Sequence, residues 1–238
     1  MFGKNIIMKQ MDAPSVSYKV REVFSTIQGE GPHAGLPATF IRLGGCNLRC
    51  HFCDTDFDYE KSVSMTHMDL GLKCKDLDND LIVITGGEPL LQRIEPLCLF
   101  LLNQGFKVQV ETAGTVEFRW EMLVDWNDDW FTMVVSPKTA NLHASMDLAT
   151  AFKYLIQEGQ TDPEDGLPVC NTQTLNGKPK PLARPPARLP PTKVFLQPMD
   201  ESHVSPDRTK LNTDEAVRLC REHGYRLSLQ LHKILELP

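Results

Sequence analysis

Six short runs rich in β-branched and other apolar residues punctuate the chain: Ala38 to Leu43, Leu81 to Thr85, Lys107 to Thr112, Phe131 to Ser136, Lys193 to Gln197 and Tyr225 to Leu231. Several are apolar almost without interruption, the mark of strands covered on both faces, as in a parallel sheet or barrel. Helical patterns lie between some of them. Pro89 to Gln104 places a proline in a first turn and Gly105 at a left-handed cap; Thr213 to His223 is opened by Asn212 or Thr213 and closed by Gly224. Strands alternating with helices predict an α/β fold, a mostly parallel sheet with right-handed crossovers, open or curled into a barrel. Met146 to Gln157 stays open between one helix and a helix that runs into a strand at Phe152 to Ile156, because periodicity does not separate the two.

A chain of 238 residues can bury one substantial core, so residues 1–238 are expected to form a single domain. Within it, Thr161 to Lys193 holds eight of the seventeen prolines and is expected to be a loop or insertion. Lys178, Lys180, Arg184, Arg188 and Lys193 leave open a basic arm that touches RNA or a partner, but a solvated polyproline-type segment is the ordinary outcome of such composition. The 25 basic and 31 acidic residues give a formal net charge of −6. That balance does not favour a nucleic-acid backbone or an anionic membrane, and a small-molecule substrate is expected. No stretch of about 18 apolar residues and no leader pattern occurs, so a cytoplasmic chain is expected. Of the seven cysteines three crowd into eight positions and four are scattered, unlike a disulfide framework, which points to a reducing compartment and a metal site.

That crowded segment, GGCNLRCHFCDTD, follows directly on ATFIRL. The spacing of Cys46, Cys50 and Cys53 lets one tight loop turn three sulfurs toward a common centre, and thiolates are the soft ligands of iron-sulfur clusters. An electron-transfer cubane takes four cysteines; here no fourth is near, so one iron is left open to chelate the amino and carboxylate groups of S-adenosylmethionine. The alternatives are a zinc site, which wants four ligands, and a redox pair of Cys50 and Cys53, which leaves Cys46 without a role.

In parallel α/β sheets the carboxyl ends of strands line the active site. Such ends here carry Thr85-Gly86-Gly87-Glu88-Pro89, Glu111-Thr112-Ala113-Gly114, Ser136-Pro137-Lys138 and Gln197-Pro198-Met199-Asp200. Gly86 and Gly87 permit close backbone approach to a ligand at the start of a helix, or are simply a strand-to-helix connection. Glu111 and Gln197 suit a ribose and Lys138 a carboxylate, unless each is ordinary strand-end polarity. Thr55 offers a hard oxygen to magnesium, though a lone threonine more often caps a turn. Arg42, in an apolar strand, requires an anion, either Glu30 or a substrate carboxylate. His232 is expected in a final strand, LSLQLHKILELP, where an isolated histidine is usually a satisfied core residue.

Together FSTIQGEG, the cysteine loop, ITGGEP, ETAGT, SPK, LQP and the terminal SLQLHK resemble the 7-carboxy-7-deazaguanine synthases of the radical S-adenosylmethionine superfamily. The resemblance runs from about Lys19 to the C-terminus, apart from the proline-rich insertion. Cysteine spacing is shared across the superfamily, whereas FSTIQGEG and QLHK are more particular. The resemblance implies an incomplete parallel (β/α) barrel of about six strands, a homodimer, and conversion of 6-carboxy-5,6,7,8-tetrahydropterin to 7-carboxy-7-deazaguanine with loss of ammonia, in queuosine biosynthesis. It also implies a 4Fe-4S cluster, S-adenosylmethionine, Mg2+ and a reductase or flavodoxin-type electron donor, with no direct nucleic-acid or membrane contact.

By position, the resemblance puts Cys46, Cys50 and Cys53 on the cluster and Phe52, Asp54, Gly87, Ser136, Pro137, Lys138, Gln197 and Asp200 in segments that hold S-adenosylmethionine. Thr55 matches a magnesium-binding threonine. Ile27, Gln28, Gly29, Glu30, Arg42 and Thr85 match positions that contact the pterin, with Gln230, His232 and the terminal carboxylate of Pro238 closing on it. In the family a 5'-deoxyadenosyl radical takes hydrogen from the ring carbon bearing the carboxylate, the ring contracts, and S-adenosylmethionine is regenerated. No side chain stands out as general acid or base. Only about thirty residues separate Thr55 from Thr85, so a thin outer layer is expected there. A glycyl-radical activating enzyme shares the cysteine spacing but has no use for FSTIQGEG or QLHK; a non-catalytic iron-sulfur or zinc module predicts no cleavage of S-adenosylmethionine.

Overall fold

The computed structural model describes residues 7–12, 16–53, 55–173 and 180–237. The strands are β1 (Ser17–Ile27), β2 (Pro37–Leu43), β3 (Val63–Thr66), β4 (Leu81–Gly86), β5 (Lys107–Thr112), β6 (Phe131–Val135), β7 (Ala151–Ile156), β8 (Val194–Pro198) and β9 (Arg226–Leu227). They form one nine-stranded sheet in the order β3-β1-β2-β4-β5-β6-β7-β8-β9, which does not close. From β2 to β9 every neighbouring pair is parallel; β1 and β3 are added antiparallel at one edge. The open stretch at Met146 to Gln157 resolves into a 3-10 turn, Ala144–Leu148, followed by β7.

Alternation along the parallel strands separates two environments. One face packs Ile41, Ile84, Val110, Met133, Phe152 and Leu196 against Leu70, Leu97 and Leu219 of the helices, forming the main core. Each such side chain withdrawn from water contributes about 1.5–3 kcal/mol. The other, concave face begins with smaller apolar groups, Ala38, Leu81 and Val83 with Phe40, and Val134, Ala151 and Phe195. One or two positions further along the same faces stand Arg42, Thr85, Glu111, Lys153 and Gln197. An apolar floor below a polar chamber follows from the two-residue period.

Helices cover the outside unevenly. α1 (His67–Leu77) begins at a reciprocal capping box, the Asp69 amide donating to Thr66 Oγ1 and the Thr66 amide to Asp69 Oδ2. It fills the short crossover expected to be thin. The thin region lies elsewhere: from β5 to β8 the described connections hold only 3-10 turns. The helix expected over Pro89 to Gln104 is divided into a 3-10 turn, Pro89–Gln92, and α2 (Glu95–Asn103) by Arg93 at φ +50°. Arg93 is buried, donating to Met11 O at 2.9 Å and Glu117 at 2.6 Å, and these contacts hold the break. Gly105 and Gly224 take the left-handed caps expected of them.

α3 (Pro206–His223) starts a full turn and more before the expected cap, at Ser205. Asn212 is instead buried within it, its amide donating to Met199 O and Glu201 and its carbonyl accepting from the Glu158 amide. The expected final strand shrinks to Arg226–Leu227, and Leu231–Ile234 forms a short helix, α4. The chain leaves the sheet because backbone partners lie across the seam. Leu231 N donates to Gly29 O, and Gly31 N to Ser228 Oγ, so the C-terminal segment bridges β1 to the β9 side of the open sheet. No described helix is long and apolar enough to cross a membrane.

Candidate active site

The cysteine loop leaves the end of β2 and is fastened to the loop after β4, its parallel neighbour. Glu88 N donates to Gly45 O, Gly87 N to Leu43 O, and Gly45 N to Phe57 O. A Cβ on Gly87 would sit 2.2 Å from Gly45 O, and one on Gly86, at φ +148°, 2.2 Å from Leu43 O. Both glycines are therefore required for loop-to-loop packing, so the close approach expected toward a ligand is made to protein backbone. The helix-start amides are not open either: Glu88 Oε1 accepts from Leu90 N and from Thr112 Oγ1, and Oε2 from Ala113 N. Burial pushes the Glu88 carboxyl above its ordinary value despite these donors.

Cys46 is buried, while Cys50 and Cys53 are half-buried, and all seven cysteines are free thiols. Burial pushes the Cys46 thiol up to about 12, so without metal it keeps its proton and a bound metal must displace it. Among the described residues no three His, Cys, Asp or Glu side chains converge on one shared ion. Ligands of a single zinc lie about 4 Å apart, whereas a cubane gives each sulfur its own iron. Three thiols from one loop, with no fourth cysteine near them in sequence, are a donor set suited to three corners of a 4Fe-4S cluster. At the end of β8 the Gln197 Oε1 atom is buried without a hydrogen-bond partner among the described residues, which suits a ligand hydroxyl there.

Inside the sheet lies a cavity of about 680 Å³. Of the expected substrate and magnesium positions, Ile27, Gln28, Glu30, Arg42, Thr55, Thr85, Gln230 and His232 all face it. Gly29 stands just behind: a Cβ there would lie 2.5 Å from His232 Nδ1. Asp54 and Pro238 fall outside the described residues.

Arg42 departs from expectation. It is half-exposed rather than buried, and its partner is Glu22, directly across the β1–β2 ladder at 2.5 Å, not Glu30. Its guanidinium also lies over Phe24, which stacks on Phe40 at 5.3 Å. Glu30 instead meets Lys153, on β7, and accepts from Gln230 Nε2 at 2.9 Å. Lys153 also reaches Glu111 at 3.3 Å, and Glu111 accepts from Gln28 and Gln109 at 2.9 and 2.8 Å. Burial alone would push the Glu30 carboxyl up, but Lys153 and Gln230 bring it below its ordinary value. Burial likewise works against the Lys153 ammonium, and Glu111 and Glu30 outweigh it, raising its pKa.

Among the described residues Lys138 has no carboxylate at hydrogen-bond distance; its ammonium donates to Ser136 O and Oγ at 2.9 and 2.6 Å, and burial holds its pKa below the lysine value. Asp200 pairs with Lys233 at 2.9 Å, tying the loop after β8 to α4, and this hydrogen bond keeps the carboxyl well below the usual range. The cavity wall also includes Glu22 and Phe40, and Phe24 and Thr26 of FSTIQGEG, and Lys153 pairs with two of its carboxylates; the sequence motifs assign none of these five a role of its own. Glu22, Phe24, Thr26, Gln28 and Glu30 are all even-numbered and all face the cavity, so extending the two-residue period backward from Gln28 would have found three of them.

Residues 40–141 match the family model of the radical SAM superfamily. The chain is 41% identical to the 7-carboxy-7-deazaguanine synthase of Rhodospirillum rubrum, over all of both chains. It is 35% identical to the enzyme of that name from Rickettsia prowazekii, covering 99% of this chain and 95% of the relative. The crystal structure of QueE from Escherichia coli superposes with a TM-score of 0.63 at 26% identity, covering 91% of this chain and 95% of that one.

Proposed function

The chain belongs to the 7-carboxy-7-deazaguanine synthase family of radical S-adenosylmethionine enzymes, and from that membership we propose how its residues serve the reaction. It is a lyase converting 6-carboxy-5,6,7,8-tetrahydropterin to 7-carboxy-7-deazaguanine with loss of ammonia, a step of queuosine biosynthesis. Membership of the family brings a 4Fe-4S cluster and S-adenosylmethionine, which when bound supply the electron and the carbon radical that start the rearrangement. The observation that supports the residue assignments is one polar chamber whose lining brings together residues of FSTIQGEG and QLHK with Thr55 and Asp56, two and three residues past the last cysteine of the loop.

Cys46, Cys50 and Cys53 would hold the cluster. The rims at Ser136 to Lys138 and at Gln197 to Asp200 would hold S-adenosylmethionine, with the orphaned Gln197 oxygen accepting from a ribose hydroxyl. Phe52 and Gly87 shape the loops on either side. Within the chamber Glu30 and Glu111 present acceptors to the N–H groups of a pterin, and the Lys153 ammonium pairs with both and holds the Glu30 carboxyl below its ordinary value. Arg42, held in place by Glu22, has a guanidinium fork suited to the substrate carboxylate. Thr55 and Thr85 both line the cavity, and we assign Thr55 to Mg2+, which would act as template and electrostatic stabiliser. Gln230 and His232 close the chamber, keeping water from reactive species.

A homodimer, a reductase or flavodoxin-type donor and a cytoplasmic setting complete the proposal. Free cysteines support a reducing compartment. One continuous sheet supports a single domain over 1–238. Anaerobic reconstitution with iron and sulfide, followed by dithionite, S-adenosylmethionine, Mg2+ and the carboxypterin, should yield the deazaguanine acid and ammonia. Formation of 5'-deoxyadenosine alone would reject the substrate while leaving the cluster chemistry standing.

A further inference from the structure

Where it is described, the proline-rich segment is not a solvated arm. Arg184 pairs with Asp165 at 2.7 Å, Ala183 N donates to Thr139 O, and Tyr154 OH donates to Ala183 O. These contacts place Asn171 to Gln173 against the cysteine loop. Arg49 N donates to Gln173 Oε1 at 2.9 Å, and His51 N donates to Thr172 O at 3.2 Å. With the Gln173 carbonyl oxygen committed to Arg49, its amide nitrogen is the end that faces Cys50, donating to Sγ at 3.1 Å and to Thr172 Oγ1 at 3.0 Å. Thr172 Oγ1 also lies 3.1 Å from Cys50 Sγ, and Thr172 N donates to Lys138 O. The hydroxyl accepts from Gln173, leaving its own proton to turn toward the sulfur or toward Lys138 O, 3.3 Å away. A metal-bound thiolate carries no proton, is the stronger acceptor, and draws it.

We propose that Thr172 and Gln173 are positioning residues that donate two hydrogen bonds to the Cys50 sulfur and thereby raise the reduction potential of the cluster it ligates. The step concerned is one electron taken up by the cluster from dithionite or a cellular one-electron donor, with no proton transferred. The added negative charge spreads onto cluster sulfurs and thiolates, so donors aimed at a thiolate stabilise the reduced state more than the oxidised one, and covering the sulfur limits solvent access. The segment also ties the cysteine loop to the loop after β6, so Cys50 is held from two directions.

The inference rests on the cluster assignment above, and failure of the wild-type chain to bind a cluster would be seen before any potential is measured. The test is an EPR-monitored redox titration of the reconstituted full chain and of Gln173→Leu, Thr172→Val and the double variant, with iron content measured in each. At the wild-type midpoint, the double variant should show a ratio of reduced to oxidised cluster lower by about tenfold, which for one electron is about 59 mV toward more negative potential. Each single variant should fall between, and Thr172→Ser, which keeps the hydroxyl, should titrate as wild type. Loaded variants with unchanged or more positive midpoints would overturn the proposal. If Gln173→Leu fails to hold a cluster, Thr172→Val decides; loss of cluster from both, with Thr172→Ser intact, would also overturn it, since the contacts would then serve only to hold the loop.

Discussion

Replacing Lys153 with methionine removes the ammonium that pairs with both Glu30 and Glu111 while keeping most of the apolar stem. The side chains of Lys153, Glu30 and Glu111 are 7%, 14% and 19% exposed, so little solvent screens the two carboxylates left facing each other. Removing one partner of a buried pair costs about 3–5 kcal/mol. For a domain of this size about 3 kcal/mol corresponds to a Tm lower by roughly 6–12 °C. The sign of the pH effect follows from both partners. Lys153 has a folded pKa above its unfolded value, so its contribution is intact up to the ordinary lysine range and is lost only as pH rises through the higher folded value. Glu30 has a folded pKa below its unfolded value, so its contribution is present above the ordinary carboxylate range and is lost as pH falls. Without Lys153 burial dominates Glu30 and reverses that shift: the variant takes up a proton on folding, and its deficit should be largest near neutral pH and shrink toward pH 5. Thermal denaturation at pH 7.5 and pH 5, with Glu30→Gln added to relieve the repulsion, measures this. A Tm within about 1 °C of wild type at both pH values, or no recovery in the double variant, would refute the reasoning.

Gly87→Ala should cost about 1–3 kcal/mol and lower iron content per chain, because its Cβ would lie 2.2 Å from Gly45 O and 2.8 Å from the Phe57 ring. Gly29→Ala should displace His232 and the adjoining backbone of α4, lowering kcat/KM by roughly tenfold or more with the cluster spectrum unchanged. Thr55→Ala should retain iron, sulfide and cleavage of S-adenosylmethionine but lose most of the response to added Mg2+ in a steady-state assay.

The parallel architecture was legible because buried strands such as LIVITG announce themselves by composition, and the cluster loop because three cysteines at that spacing have few other uses. What sequence missed has physical reasons. Lys153 sits in AFKYLI, a run whose periodicity fits strand or helix equally, and its partners lie 123 and 42 residues away. The apolar neighbours of Arg42 along the chain suggest burial, but the relevant neighbour is Glu22, across the ladder. The final strand gave way to α4 because Gly29 and Glu30 offer hydrogen bonds that no local pattern encodes. The Pro-rich composition of 161–193 predicted solvation, yet Arg184, Thr172 and Gln173 anchor the segment by polar contacts that leave no hydrophobic periodicity.

The most direct test is the EPR spectrum of the dithionite-reduced, reconstituted chain before and after S-adenosylmethionine is added. A 4Fe-4S signal whose g values move on addition, and which is absent from Cys50→Ala, is the result expected of three protein thiolates and one iron open to the cofactor. A signal indifferent to S-adenosylmethionine, or a chain that takes up zinc in place of iron and gives no signal, would contradict it.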